Sequence, residues 1–396
     1  MLLVVFDDKQ HKSFYPIAQT RSVGDLRCGI LKLRQRLEYI FADGDSGLVI
    51  EDRLVDLYRE RHPDWIVNNP PAGDKLYINS RLIISDEAIT AIKALTPNQA
   101  LLKHETILAL RTSEYLNWGF QLPSGTERIQ STLPMYEHIA QLIHDNGRMI
   151  TWDFEHIFYD EDNFFETEPG VSVLHPYNVW IAEGVDLAPN VVLDASDGPI
   201  VIDEGAKVMA GAVLCGPLYV GKKSLIKIAA KIYGSTSIGP VCKVGGEVEG
   251  SIFQAYSNKQ HDGFLGHAYI GEWVNLGADT NNSDLKNTYK NVQYYNYQTL
   301  GKIDSGSKFM GSVIGDHSKT GINTSLNTGL VIGCACNIYG SGLFTGFIPD
   351  YSWGEAQALT KYRFQDFCDT AAIVKNRRNL ELSSSERRLY QTISGD

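Results

Sequence analysis

The most regular feature of the chain is a beat of six. Ile202, Val208, Leu214, Val220, Ile226, Ile232, Ile238 and Val244 recur at every sixth position. Gly221, Gly239 and Gly245 directly follow three of them. Ala206, Ala212, Ser224, Ala230 and Thr236 each stand four residues after their aliphatic. An α-helix repeats about every 3.6 residues and a flat strand about every two, so neither accounts for this period. One short strand and one corner per hexapeptide does. Three strands then make a coil, the aliphatics point inward on every face, and the small residue fits the corner where bulk would clash. Ile181 and Leu187 extend the beat upstream. Ile270 and Leu276 resume it, followed by Ile314, Leu326, Ile332 and Ile338, with Thr320 in one aliphatic slot. Residues 250–269 and 281–313 break the period and are expected as loops expelled from the coil, where function tends to sit.

The segments on either side read differently. MLLVVF (1–6), GLVI (47–50), LYIN (76–79) and RLIIS (81–85) have strand patterns. LRCGILKLRQRLEYIF (26–41), DEAITAIKAL (86–95) and LPMYEHIAQLIHDNG (133–147) have helical spacing, the last with Asn146-Gly147 as its stop. Alternating strands and helices predict an open, mostly parallel α/β sheet. After the repeats, 355–382 and 383–394 read as helices that would cap the open end of the coil. Glycine marks the same boundaries, with nine in 1–178, 25 in 179–346 and two in the last 50 residues. Three domains are therefore expected, an α/β domain (1–178), a parallel β-helix (179–346) and a C-terminal helical cap (347–396).

Composition narrows the function. A formal net charge of −11 leaves no basic surplus for nucleic acid or an acidic membrane. The six cysteines show no paired metal spacing, which suits reduced thiols in a cytoplasmic protein. The first apolar run is too short for a signal peptide and lacks a basic leader. Asp160, Glu161, Asp162, Glu166 and Glu168 read as a solvated acidic linker rather than a metal site.

The stretch KVGGEVEGSIFQAYSNKQHDGFLGHAYIGEWVNLGADTN (243–281) resembles the acetyltransferase half of the bifunctional N-acetylglucosamine-1-phosphate uridyltransferase/glucosamine-1-phosphate acetyltransferase family. The chain as a whole is similar to two-domain sugar nucleotidyltransferases of that layout. The resemblance implies a left-handed β-helix, acetyl-CoA as co-substrate, a sugar phosphate or nucleotide-sugar as acceptor, and a trimer with its site between subunits. His261 falls where the family has its catalytic histidine, a group able to take a proton as the acceptor attacks a thioester. Glu249 matches the acidic residue that would orient it, and Asn275 matches an acceptor-site asparagine. The family's arginine, lysine and tyrosine correspond to Tyr233, Ser251 and Phe264, which puts glucosamine 1-phosphate in doubt as acceptor. CoA would lie along Gly277 and Ala278, with Lys302, Lys308 or Lys319 meeting its phosphates. His267 and His317 read as surface histidines.

The family's first domain carries a glycine-rich loop after strand one and then Pro-Lys. Here the run is FDDKQHKSFYPIA (6–18), with no glycine, Ser13 for the arginine, and Ser22 and Val23 for Pro-Lys. Arg21, Asp25 and Arg27 are candidates for a substitute phosphate and Mg²⁺ site, though capping and salt bridging explain them equally well. The leading expectation is an acyltransferase with His261 as base. The alternatives are a sugar-1-phosphate nucleotidyltransferase that the β-helix trimerises, a bifunctional enzyme, a nucleotide-sugar-binding scaffold, and a γ-carbonic-anhydrase-like metal site on His261, His267 and His317.

Overall fold

A computed structural model describes residues 1–158, 167 and 169–395. The acidic stretch from Asp160 to Glu168 lies outside the described residues. The N-terminal part is a seven-stranded sheet of β1 (Leu2–Phe6), β2 (Ser46–Val49), β3 (Ile66–Val67), β4 (Lys75–Asn79), β5 (Gln99–Lys103), β6 (Thr106–Thr112) and β7 (Glu127–Gln130). Its spatial order is β3-β2-β1-β4-β6-β5-β7, parallel except where β6 runs against β4 and β5. Its helices are α1 (Leu33–Phe41), α2 (Asp52–Arg61), α3 (Asp86–Lys93) and α4 (Ile139–Asp153). The Ser85 hydroxyl accepts from Ala88 N at 3.2 Å and so starts α3 at a capped end.

Two of the expected elements differ. RLIIS is not a strand of the sheet, and only Leu82 bridges, to Met135. Asn146-Gly147 does not end α4 but lies inside it, where the helix meets the solenoid. A Cβ on Gly147 would overlap Ser235 Oγ. The Asn146 amide donates to Ser235 O at 2.8 Å, and its oxygen accepts from Gly29 N at 2.7 Å. Close approach, not chain reversal, explains the pair.

The repeats form a left-handed parallel β-helix with three faces. One face has nine strands, from Val179–Ile181 to Phe347–Ile348. A second has six, from Ser172–Leu174 to Phe264–Gly266. A third begins with five, from Asp186–Leu187 to Asn258–Lys259. The inward apolar side chains stack in rows such as Ile202, Val220, Ile238, Phe253, Ile270 and Ile314, all buried. Many corners are turned by residues with positive φ, among them Val241, Tyr256, Trp273 and His317.

Residues 250–269 are not expelled. They form strands Ile252–Ala255, Asn258–Lys259 and Phe264–Gly266, each in register with the coil below. The inward positions are Val244, Val248, Phe253, Lys259, Leu265 and Ile270, so several corners are one or two residues short. A lysine also fills one inward slot. Shortened corners destroy the sequence period without taking the chain out of the coil. The Lys259 ammonium donates to Gly245 O and His261 O, each at 3.0 Å, and burial lowers its pKa to about 8. The true excursion is 283–312, with a hairpin of Gln293–Asn296 and Gly301–Asp304.

The outer side of the nine-stranded face is covered as well. Ile252, Tyr269, Val313 and Val331 share a core with Phe14, Ile17, Ala18, Leu26 and Leu142 from the N-terminal part. The C-terminal helical segment begins later than the sequence suggests. Residues 352–361 form a hairpin before α5 (Phe364–Asn376) and α6 (Ser384–Ser394). These helices do not close the end of the solenoid but lie along one corner of it. Phe367 packs on His317 and Tyr351, Lys375 lies over Trp273, and Arg378 reaches Asn258. Among the described residues no helix is long and apolar enough to cross a membrane.

Candidate functional site

Cross-strand register places three of the sequence candidates on the six-stranded face. Tyr233, Glu249 and Gly266 occupy one row, and Lys231, Glu247 and Phe264 the next. Lys231 and Glu247 pair at 3.0 Å. Tyr233 is 41% exposed, Glu249 is exposed and Phe264 half-buried. His261 sits at the corner entering this face, opposite Gly246, and is exposed. Glu249 lies further along the same face, and among the described residues no hydrogen bond or ion pair joins it to the His261 imidazole. The Ser251 hydroxyl is turned to the backbone and donates to Glu249 O at 2.8 Å.

Asn275 is on another face. It bridges Asn258 and Lys319 on the continuation of the five-stranded face. Gly277 N donates to Thr320 Oγ1 at 2.9 Å, and a Cβ on Gly277 would strike Gly321 O. Ala278 is half-buried beside it. The half-buried Lys319 ammonium donates to His317 O at 2.9 Å, and burial lowers its pKa to about 8. Lys302 and Lys308 are exposed on the 283–312 excursion. One chain therefore does not unite Asn275 with Glu249.

Of the N-terminal candidates, Arg21 and Asp25 have their charges paired inside the fold, while Arg27 meets only a backbone carbonyl and a ring and its Nε has no hydrogen-bond partner. Arg21 grips Asp316 of the solenoid through two bonds, at 3.1 and 2.5 Å, and also donates to Ile17 O. Asp25 accepts from Tyr58 and pairs with Arg34 and Lys32. Against its burial, Lys32 and Arg34 hold its carboxyl well below the usual range. Arg27 is buried, donates to Ile30 O and lies over the Tyr219 ring. These three tie the domain to itself and to the solenoid. Asp25 has no free oxygen facing a cavity with a second carboxylate, and no cluster fit for a metal occurs among the described residues. A Mg²⁺ site on Arg21, Asp25 and Arg27 does not fit.

An opening instead lies at the carboxyl ends of β1 and β4, where ligands of open α/β sheets bind. It is a cavity of about 240 Å³ lined by Asp7, Asp8, Lys9, Asn79 and Gln121 among others. Asp7 accepts from Ser80 Oγ, Ser22 Oγ and Val23 N, and burial raises its carboxyl to about 6. Asp8 is held by Arg81 at 2.6 Å and Asn79 at 2.9 Å. The Asp-Asp pair ending the first strand was the available sequence signal for this place.

The remaining histidines divide. His317 is not a surface residue. It is fully buried between Trp273, Phe367 and Tyr390, and neither ring nitrogen has a hydrogen-bond partner. It lies at a different corner from His267, so His261, His267 and His317 do not converge on a metal. Burial, with Lys319 and Lys375 nearby, pushes its pKa well below 6.5. The folded form refuses a proton that the unfolded chain accepts. Its contribution to stability is present above pH 6.5 and is lost as pH falls below it. The loss therefore grows as the pH is taken from 7 down to 5. Urea unfolding at both pH values should show that His317→Leu removes this part of the acid sensitivity.

His267 is half-buried, with Nδ1 2.8 Å from Asp284 Oδ2. Sequence reading missed this pair because Asp284 begins the segment that breaks the period.

Fold and site together define a two-module architecture, an α/β sheet docked on a hexapeptide β-helix. Residues 3–161 match the family model described as sugar nucleotidyl transferase. The bifunctional protein GlmU of Synechococcus sp. (strain CC9311) is 32% identical over 146 residues, covering 36% of this chain and 28% of that protein. The bifunctional sugar-1-phosphate nucleotidylyltransferase/acetyltransferase of Sulfurisphaera tokodaii is 34% identical over 145 residues, covering 36% and 35%. The chain thus spans about a third of the length of these relatives, the second of which is a transferase by name. Among solved structures, the Francisella novicida UDP-N-acetylglucosamine acyltransferase is 12% identical, with 56% of this chain and 75% of that one covered and a TM-score of 0.32.

Proposed function

We propose that the protein is an acyl-CoA-dependent acyltransferase, using acetyl-CoA, that acts on a sugar phosphate or nucleotide-sugar. In this reading residues 179–346 carry the transfer, 1–178 bind the sugar-nucleotide part, and 347–396 brace the two. The observation that carries it is the grouping of Tyr233, Glu249 and Phe264 on one solenoid face with His261 at its edge. Glu249, His261 and Phe264 of that grouping lie in the segment 243–281 that resembles bifunctional sugar transferases. His261 is the candidate base that takes the acceptor's proton. Asn275, Gly277, Ala278 and Lys319 lie on a different face, so a homotrimer that sets one chain's six-stranded face against its neighbour's five-stranded face would complete the site. Lys302 and Lys308 would then be available to CoA phosphates. The test is transfer from labelled acetyl-CoA over a panel of sugar phosphates and nucleotide-sugars. His261→Ala is expected to lower turnover about 100-fold, and equal turnover would remove His261 from the reaction.

A second reading is nucleotidyl transfer at the cavity beside Asp7, Asp8 and Asn79. It is favoured by the position of that cavity at the carboxyl ends of β1 and β4. Pyrophosphate release from nucleoside triphosphates with sugar 1-phosphates tests it, and release unaffected by Asp8→Asn would exclude this cavity.

A further inference from the structure

The corner of the solenoid along which α5 and α6 lie is a ladder of rings. Tyr256 and Trp273 stack at 4.4 Å and 7°, and Trp273 and His317 at 5.9 Å and 17°. All three residues have positive φ, a conformation uncommon for bulky side chains. Phe367 and Tyr390 cover His317, and Lys375 lies over Trp273. Tyr256 ends the ladder and is half-buried. A cavity of about 480 Å³ lies against it, where the N-terminal part, the solenoid and the C-terminal helices meet. Arg27 and Lys32 line it from the first, Tyr256 and Glu272 from the second, and Lys375 and Glu386 from the third.

The charges around this cavity are only partly paired with one another. Glu386 takes both Lys375 and Arg61, the latter at 2.6 Å. Lys32 meets Asp25 only at 3.4 Å, and that carboxylate is shared with Arg34 and Tyr58. Arg27 is 5% exposed, pairs with no carboxylate among the described residues, and has an Nε without a hydrogen-bond partner. A buried cation in that state is destabilising until a group of opposite charge joins it. On the solenoid side, Glu272 has Arg21 as its partner at 3.4 Å. Against its burial, Arg21, Arg61 and Lys32 hold its carboxyl below the usual range, so it is an ionised acceptor for hydroxyls.

We propose that this three-way junction binds a nucleotide, with its phosphate at Arg27 and Lys32, its ribose hydroxyls donating to Glu272 and its base against Tyr256. Phosphate is the anion that arginine and lysine hold with charge-assisted bonds. An ionised carboxylate accepts from ribose hydroxyls. The end of an aromatic stack offers a face to the π-system of any base. The volume lies within the range of about 300–1,000 Å³ of small-ligand sites. The junction shares no lining residue with the cavity beside Asp7 and Asp8, and it stands independently of both readings above. A nucleotide here touches all three parts of the chain, so its binding also stabilises their docking.

The experiment is calorimetric titration of the full-length protein with ADP and UDP, and with inorganic phosphate as the minimal probe. A nucleotide is expected to bind at least about tenfold more tightly than phosphate. Tyr256→Asn keeps a residue that tolerates the left-handed corner. It is expected to weaken the nucleotide at least about tenfold and leave phosphate unchanged. Lys32→Ala, at a half-buried position, is expected to weaken both several-fold. The nucleotide should raise the melting temperature of the parent more than that of either variant, and the ligand-free melting temperatures show that both fold. Should Tyr256→Asn fail to fold, Lys32→Ala decides. Absence of nucleotide binding overturns the proposal, as does nucleotide binding that neither variant weakens. Nucleotide binding no tighter than that of phosphate overturns it as well, since the junction then takes an anion only.

Discussion

Replacing Asp316 by alanine is expected to destabilise the protein by about 3–5 kcal/mol, the cost of stranding a buried charge. Asp316 Oδ2 accepts from Arg21 at 2.5 Å and from Thr20 Oγ1 at 2.6 Å. Its other oxygen takes a second bond from Arg21 and the Glu272 N–H at 2.8 Å. Burial pushes the carboxyl up while Arg21 pulls it down, and Arg21 is held charged by this partner. Removing the carboxylate leaves a guanidinium that is 5% exposed without its main partner. Glu272, 3.4 Å away, offers only a partial substitute. Because Arg21 belongs to the N-terminal part and Asp316 to the solenoid, the loss should also loosen their docking. Urea unfolding followed separately by fluorescence and circular dichroism should show the midpoint falling and the transitions separating. Coincident transitions at the parent's midpoint would show that the pair contributes no net stability.

Phe253→Ala is expected to cost about as much, roughly 3–5 kcal/mol, by a different mechanism. Phe253 is fully buried in the inward row between Ile238 and Ile270. Each wall of the prism is fixed by hydrogen bonds between coils, such as Gly239 N to Phe253 O at 2.9 Å. The walls cannot collapse into the space the ring leaves, so the cavity term adds to the lost transfer energy. Thermal unfolding measures the effect. A loss below about 1 kcal/mol would mean that the coils can close up.

How much of this was legible in the chain depended on repetition. The aliphatic rows, the three-sided prism and the capped starts of α3 and α6 follow from local patterns. In α6, Ser383 accepts from Glu386 N, and the Glu386 carboxylate accepts from Ser383 N. The misread segment 250–269 fails for a specific reason. Shortened corners and the inward Lys259 remove the period while the coil continues, so geometry persists where the sequence signal stops. The stop assigned to Asn146-Gly147 fails because the same dipeptide also serves a close helix–solenoid contact.

The sequence by itself determined the repeating unit, since a six-residue rule restated eight times outweighs any single substitution. It also pointed to the six-stranded face through Tyr233, Glu249, His261 and Phe264. Only the tertiary structure decided which charges are free to act. Stacking of coils brings His267 to Asp284 across 17 positions, and domain docking brings Arg21 to Asp316 across 295. Contacts between distant segments also cover Arg27 with the Tyr219 ring and close His317 in beneath Phe367 and Tyr390. Burial and pairing of single side chains are properties of contacts between distant segments, and no local pattern encodes them.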